Sequence, residues 1–147
     1  HNAGDWIEFF NNSDSTIDLS NWIIKDDNDE HFFEFMINEI ILSGEFLVIC
    51  RDSTSFKNIH PNVDNVRGNL GFGLSGSGDM VRLYDDFENL IDSVRYNVAE
   101  PWPYLPNGYG PTLELKNPNF DNDLELGLAD VILAPQGYFF GREKIDK

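Results

Sequence analysis

GFGLSGSGDMVRLYDDFENLIDSVRY, from Gly71 to Tyr96, is the stretch that decides the fold of this chain. It reads as a glycine-rich turn, a strand, a tight acidic turn and a second, antiparallel strand. Apolar and polar residues alternate from Met80 to Tyr84, which places Val81 and Leu83 on one face of the first strand. Short polar side chains between the strands bond to nearby backbone and close a turn. The stretch therefore predicts a β-hairpin with one apolar face.

The residues on either side continue in short strands. The alternation in DWIEFFN puts Ile7 and Phe9 on one face and Trp6, Glu8 and Phe10 on the other. Further strands share this pattern, with Ile17, Leu19, Trp22, Ile24, Leu113 and Leu115 expected to point inward. They are predicted at Thr16–Leu19, Trp22–Asp26, His31–Phe35, Ile40–Leu42, Phe46–Cys50 and Thr112–Lys116.

One helical turn is expected between Asp52 and Pro61. Ser53 is the predicted cap, Phe56 is one of the apolar residues that the turn carries, and Pro61 ends it. The apolar run Val131–Ala134 is too short to assign to a strand or a helix.

Many short strands with almost no helix predict two antiparallel sheets packed face to face. We expect one domain over residues 1–147: an all-β, immunoglobulin-like antiparallel β-sandwich of about seven to nine strands. A chain of 147 residues with 41% hydrophobic residues has enough apolar side chains to build such a core.

The charge narrows the classes of partner. The chain has 26 Asp and Glu against 10 Lys and Arg, a formal net charge of -16. Binding to nucleic acid depends on cations that neutralise phosphates, so this surface repels DNA and RNA, and anionic membranes as well. No run of residues is long and apolar enough for a spanning helix, so membrane insertion is not expected.

Cys50 is the only cysteine, so no disulfide forms within the chain. It lies in an apolar run and is predicted to be a small buried hydrophobic residue. A chain that opens on His1 inside polar sequence, without an initiator Met, suggests an excised fragment or a mature product.

Several separate segments occur in an order that resembles the lamin tail domain, an immunoglobulin-like module of nuclear intermediate filaments and of many bacterial surface and secreted proteins. They are DWIEFFNNSDSTIDLSNWIIKDD, FLVICRD, GLSGSGDMVRLYD, LIDSVRY, PWP and TLEL. The resemblance runs from about Asp5 to Pro118 and is closer to the bacterial branch; residues 119–147 would form a closing strand and tail. It implies a non-catalytic module attached to longer exported proteins. The DNA association of nuclear members rests on basic surface and is not expected at this charge.

The chain departs from that family at both ends. Members usually open with a strand before the position of Asp5, whereas only four residues precede it here, so one sheet edge is expected to be absent, unpaired or supplied from elsewhere. An open edge invites a strand-exchanged dimer. Members also tend to carry a Trp after the final strand, where this chain has LELGLADVILAPQGYFFGREK.

Gly71, Gly73 and Gly76 satisfy the dinucleotide pattern G-x-G-x-x-G. That chemistry needs a helix N-terminus facing the pyrophosphate, but here the glycines precede a strand. We interpret them as a loop that requires positive φ.

The acidic turn at Asp26, Asn28 and Glu30 offers hard oxygen ligands at alternate positions, of the type calcium prefers. Asp85, Asp86 and Glu88 form a second acidic cluster that offers the same ligands. Neither fits the twelve-residue calcium loop, so a solvated hairpin tip is the favoured interpretation and weak calcium binding the alternative.

Trp102, Tyr104 and Tyr109 are interspersed with prolines and would form a rigid aromatic shelf for glycans or proline-rich peptides if exposed. The favoured interpretation is a loop folded over the end of the sandwich. His1 would hold copper through its amine and imidazole if it were the true N-terminus, which is a third hypothesis, that of a copper enzyme. A Ser-His-Asp set has no support in the sequence, because no G-x-S-x-G motif is present.

The sequence thus predicts a protein that is not an enzyme. We expect a structural or interaction module of a larger extracellular or cell-surface polypeptide, which contacts a protein partner or neighbouring domains and needs no cofactor. A glycan- or calcium-binding accessory module is the alternative function.

Overall fold

The computed structural model describes residues 4–100, 102, 111–115, 131–135 and 142–143. In these residues it shows twelve strands and one helix. The strands are β1 (Trp6–Asn11), β2 (Ile17–Asp18), β3 (Ile23–Lys25), β4 (Phe32–Glu34), β5 (Ile40–Ile41), β6 (Phe46–Cys50), β7 (Val66–Arg67), β8 (Gly78–Tyr84), β9 (Leu90–Asn97), β10 (Pro111–Leu115), β11 (Val131–Pro135) and β12 (Arg142–Glu143). The helix α1 spans Ser53–Ile59.

Two four-stranded sheets form the body of the domain. Their strand orders are β12-β1-β6-β7 and β4-β3-β8-β9, and two short ribbons, β2-β5 and β10-β11, complete the described part. The all-β, immunoglobulin-like class is therefore confirmed. The sequence predicted fewer strands because β7 and β12 are only two residues long, too short to show an alternation, and because the run at β11 was left unassigned.

The sheet that contains β1 is mixed rather than purely antiparallel. β1 pairs antiparallel with β6, but β7 runs parallel to β6 and β12 runs parallel to β1. β12 therefore covers one side of β1, while the expected absent, unpaired or externally supplied edge was not assigned to a particular strand. Exchange of strands between copies of the chain stays a prediction.

The predicted hairpin is confirmed. β8 and β9 pair antiparallel from Gly78 and Asn97 to Tyr84 and Leu90, with an irregularity after Leu83. Val81 and Leu83 are buried, as their alternation predicts. They belong to one apolar core in which the inward residues of both large sheets meet. Its members from the other predicted strands are Ile7, Ile17, Leu19, Trp22, Ile24, Phe35, Ile41, Leu47, Ile49 and Leu113. The side chain of Leu115 lies outside the described residues.

A second, smaller cluster lies on the opposite side of β6. Trp6, Val48 and Cys50 pack there against Phe56 of helix α1, whose ring meets that of Trp6 edge to face at 5.1 Å. β6 is thus buried on both faces, and Cys50 is confirmed as a buried residue.

The helix is where we expected it, but its cap is not. The side chain of Asp52 accepts a hydrogen bond from the backbone N–H of Ser55 at 2.5 Å, and the backbone of Asp52 is extended. Ser53 is instead the first helical residue, so the predicted cap was wrong by one position. An Asp before a Ser leaves two competent capping residues, and the sequence alone does not distinguish them.

Candidate interaction site

The glycine-rich loop is held by the carboxylates of the domain itself. Asp79 accepts hydrogen bonds from the backbone N–H groups of Ser75 at 2.8 Å, Asp27 at 3.2 Å and Met80 at 2.8 Å. Asp5 accepts one from the N–H of Leu74 at 3.1 Å. Internal carboxylates therefore already use the N–H groups of Leu74 and Ser75 in this loop.

Two glycines of this region have identifiable steric roles. Gly78 has φ 123, in the region that side chains disfavour. Gly73 has ordinary φ, but a Cβ there would lie 2.9 Å from the Oδ2 of Asp5. The expectation of positive φ was wrong for Gly71, Gly73 and Gly76, since positive φ in this loop occurs at Gly78 instead. Gly73 is required for close approach.

The first acidic turn is less solvated than predicted. Asp26 is only 5% exposed. Its carboxylate accepts from the N–H of Asn28 at 2.8 Å and contacts the Nδ1 of His31 at 2.7 Å. Asn28 in turn accepts from the N–H of Glu30 at 3.0 Å. The favoured interpretation, a solvated hairpin tip, was therefore wrong at Asp26, because its local backbone and His31 enclose its carboxylate.

The calcium hypothesis concerns Asp26, Asn28 and Glu30. Asn28 and Glu30 are exposed, and the side-chain oxygens described above already accept backbone hydrogen bonds. Within residues 4–100 and the other described positions, no group of three or more His, Cys, Asp or Glu side chains is arranged to hold a metal ion. Calcium binding stays a prediction.

Arginines of β8 and β9 are paired with the same acidic turn. Arg82 meets Asp29 at 2.8 Å and also donates to the main-chain oxygen of Asp26. Arg95 meets Asp27 at 2.9 Å, and this hydrogen bond lowers the pKa of the Asp27 carboxyl despite the opposing effect of desolvation. The pairs tie the turn to the central hairpin.

The second acidic turn, between β8 and β9, is built around Asp85. Its carboxylate accepts from the N–H groups of Phe87 at 2.9 Å and Asn89 at 2.8 Å, and from the Asn89 side chain at 2.8 Å. The bond from the Asn89 side chain is the main cause that lowers the pKa of Asp85. Glu88 adopts φ 63. The turn is therefore a defined structure whose anion is kept ionised by local donors.

Of the aromatic residues Trp102, Tyr104 and Tyr109, the structure describes Trp102 alone. Trp102 is half-buried and packs against the main core, and its backbone N–H donates to the carbonyl of Ala99 at 3.0 Å. Tyr104 and Tyr109 lie outside the described residues, as does His1. The aromatic shelf and the copper hypothesis stay predictions.

The two described histidines contact aromatic rings. His31 stacks on Phe72 with 5.8 Å between ring centroids, and His60 lies 5.2 Å from Trp6 and 4.8 Å from Phe56. The sequence did not predict the pairing of His31 with Asp26. The available signal was that Asp26 precedes His31 by five residues across a tight turn. This spacing indicates a contact only when the geometry of the turn is known.

A cavity of about 10 Å³ lies inside the sandwich, lined by residues that include Phe9, Ile17, Phe35 and Leu83. This volume is comparable to one water molecule. It is far too small for an organic ligand, for which pockets of about 300 Å³ or more are usual.

The feature that sequence reasoning missed is a set of exposed apolar residues at turns. Met36 and Ile37 are 76% and 72% exposed, and Phe87 and Leu90 are 79% and 52% exposed. A signal was present, because turn positions are usually polar and Phe87 stands in the turn DDFEN.

The comparisons agree with this architecture. A family model described as Lamin Tail Domain matches residues 1–98, which is 98 of the 147 residues. A search of curated proteins found no match. Among the described residues, no helix has the length and apolar character needed to cross a membrane. The matched family consists of non-enzymatic immunoglobulin-like domains that serve protein interaction. The chain belongs to the lamin tail domain family.

Proposed function

We propose that this domain is a non-catalytic structural and interaction module of a larger exported or cell-surface protein, and that it mediates attachment to a protein partner or spacing between domains. One observation carries the proposal most directly. Four carboxylates of the two acidic turns and the glycine-rich loop are bonded to the backbone, His31 or an arginine of the domain itself: Asp26, Asp27, Asp79 and Asp85. These carboxylates stabilise the fold, so we assign partner binding to other groups on the surface of the domain.

Export is supported by the resemblance of GLSGSGDMVRLYD and PWP to bacterial surface members of the family, and the net charge of -16 suits a domain that remains soluble outside the cell. The location is extracellular or at the cell surface in this proposal. Anionic partners are excluded by repulsion, so the partner is a protein rather than nucleic acid.

The test is a fusion experiment in the natural host. The 147-residue chain is placed between an export signal and a reporter enzyme, and the reporter is assayed on washed cells and in the medium. We expect the fused reporter to stay with the cells while the exported reporter alone is released. Equal release of both reporters would contradict an attachment function, because a docking module must change where its cargo is held.

A further inference from the structure

Two loops emerge at the same end of the sheet β4-β3-β8-β9. Glu34, Ile23, Tyr84 and Leu90 stand in one row across its four strands. β4 and β8 both run antiparallel to β3, so the chain leaves them in the same direction. Strands lie about 4.8 Å apart, so the row from Glu34 to Leu90 spans roughly 14 Å. The turn that follows β4 and the turn that follows β8 are therefore neighbours.

Each turn presents an apolar side chain at its tip. Met36 and Ile37 follow β4, and Phe87 lies in the turn before Leu90; these four residues, all more than half exposed, are called the apolar tips. Exposed apolar side chains add little to folding stability, because they bury little surface. When several lie together on a soluble domain, they mark an interaction surface.

Internal hydrogen bonds fix both turns. The N–H of Glu39 donates to the carbonyl of Met36 at 3.2 Å, Asn38 adopts φ 68, and its N–H donates to the Ser20 hydroxyl at 2.8 Å. Asp85 holds the other turn through the three bonds described above. The tips are therefore presented in a defined geometry, which lowers the entropy lost on binding.

The surroundings of the apolar tips are acidic. Residues 34–39 and 84–92 contain no Lys or Arg, but they contain six carboxylates: Glu34, Glu39, Asp85, Asp86, Glu88 and Asp92. Two cations from other segments reach the ring of Tyr84, Lys25 at 5.8 Å and Arg82 at 5.9 Å, and Arg82 is paired with Asp29, so carboxylates still outnumber cations here. Glu39 is neutralised by Arg67 at 2.8 Å. A second copy that docked through the same residues would bring the same carboxylates, in a chain of net charge -16, so charge disfavours self-association there.

We propose that the apolar tips dock a basic, amphipathic polypeptide segment, whose apolar face covers Met36, Ile37, Phe87 and Leu90 and whose Lys and Arg side chains meet the flanking carboxylates. The inference rests on the proposed function of an interaction module and adds the chemistry of the partner. Complementary charge steers the encounter, while the buried apolar tips hold the complex.

The test measures binding of synthetic peptides to the purified chain by calorimetry. The probe is a Leu/Lys peptide with leucines at helical spacing; its controls are the same pattern with Glu for Lys, and a scrambled Leu/Lys sequence. We expect only the patterned basic peptide to bind tightly. Raising the ionic strength from about 0.1 to about 0.5 M should weaken the complex, because it screens the carboxylates.

Variants separate specific docking from general attraction to an acidic protein. The double variant Ile37→Thr/Phe87→Thr should weaken binding about ten-fold or more, since buried aromatic anchors dominate interfaces. Phe32→Thr is the matched control, because Phe32 is also exposed but lies four residues before Met36 and opposite Lys25; binding should stay within about two-fold. Asp86→Asn/Glu88→Asn should lower the salt dependence and preserve the fold, since Asn tolerates the φ of 63 at position 88.

Unchanged binding in Ile37→Thr/Phe87→Thr would overturn the proposal and leave only unspecific charge attraction. Dimerisation in light scattering that this variant abolishes would assign the tips to a second copy instead. Tip-dependent binding to phosphatidylcholine vesicles would assign them to a lipid surface. The fusion experiment separates failure of this inference from failure of the proposed function. If the fused reporter is retained on cells, and fusions that carry Ile37→Thr/Phe87→Thr are retained equally, the module attaches through another surface. If the fused reporter is released from the cells, the attachment function itself fails, whether or not the peptide binds.

Discussion

Replacement of Asp79 by Ala tests whether the acidic side chains of this domain are structural. Asp79 is only 9% exposed, and its carboxylate joins three parts of the chain through the N–H groups of Asp27, Ser75 and Met80. The Tyr96 hydroxyl fixes the same loop by donating to the carbonyl of Ser75 at 2.7 Å. Ala would leave the three backbone donors without their acceptor in a partly buried place.

The expected magnitude follows from these contacts. A hydrogen bond to a charged group contributes about 1.5–3 kcal/mol, and a buried donor left unpaired costs a similar amount. Water can reach part of the loop and the Met80 contact is local, so we expect a loss of about 3–5 kcal/mol rather than the full sum. For a domain of this size that corresponds to a fall in melting temperature of roughly 10 °C.

The assay is urea unfolding followed by tryptophan fluorescence, which yields the midpoint and the slope of the transition. Asp86→Ala is the matched control, because Asp86 is an exposed carboxylate in the β8–β9 turn. Asp79→Asn should lie between the two, since the amide oxygen still accepts while the NH₂ group opposes a donor. A free energy of unfolding for Asp79→Ala within about 0.5 kcal/mol of the control would refute the structural role of this carboxylate.

Two further predictions concern ionisable groups. The pKa of Asp85 is lowered from its ordinary 3.8, so the stabilisation by its charge is fully present above that pH and is lost as the pH falls through the lower folded value. The difference in melting temperature between the wild type and Asp85→Asn should therefore shrink below about pH 4. A difference that stays constant down to about pH 2 would contradict this. Burial raises the pKa of the Cys50 thiol, whose Sγ donates to the carbonyl of Arg67 at 3.2 Å. An aromatic disulfide reagent should therefore react with Cys50 slowly in buffer and completely in urea. Immediate reaction in buffer would contradict this, because it would show that β6 is accessible to the reagent.

The strands were largely readable from the sequence because their signal is local. Ile7, Ile24, Val81 and Leu83 lie in the core as period-two alternation predicts, since successive side chains in a strand point to opposite faces. The helix was readable for the same reason, from Phe56 and a proline stop. Its cap was not, because Asp52 and Ser53 are both suitable capping residues.

The candidate sites were less predictable, because a turn sequence does not state what its side chains contact. Asp26 and Asp85 both stand in acidic turns, but Asp26 is enclosed near His31 and Arg82, whereas Asp85 holds an exposed turn. The partner of Asp26 on β8 is 56 residues away along the chain. Such a pairing depends on strand order and register, which local patterns do not encode.

By itself the sequence determined a β-rich, acidic domain with a closed apolar core, because alternation and charge are properties of neighbouring residues. Only the tertiary structure decided that β7 runs parallel to β6 and that β12 runs parallel to β1. The same holds for Asp79, which joins the glycine-rich loop to the first acidic turn, and for Met36 and Phe87, which emerge at one end of a sheet. The physical reason is that these features depend on contacts between segments tens of residues apart. Packing of the whole chain fixes those contacts, and no single stretch contains them.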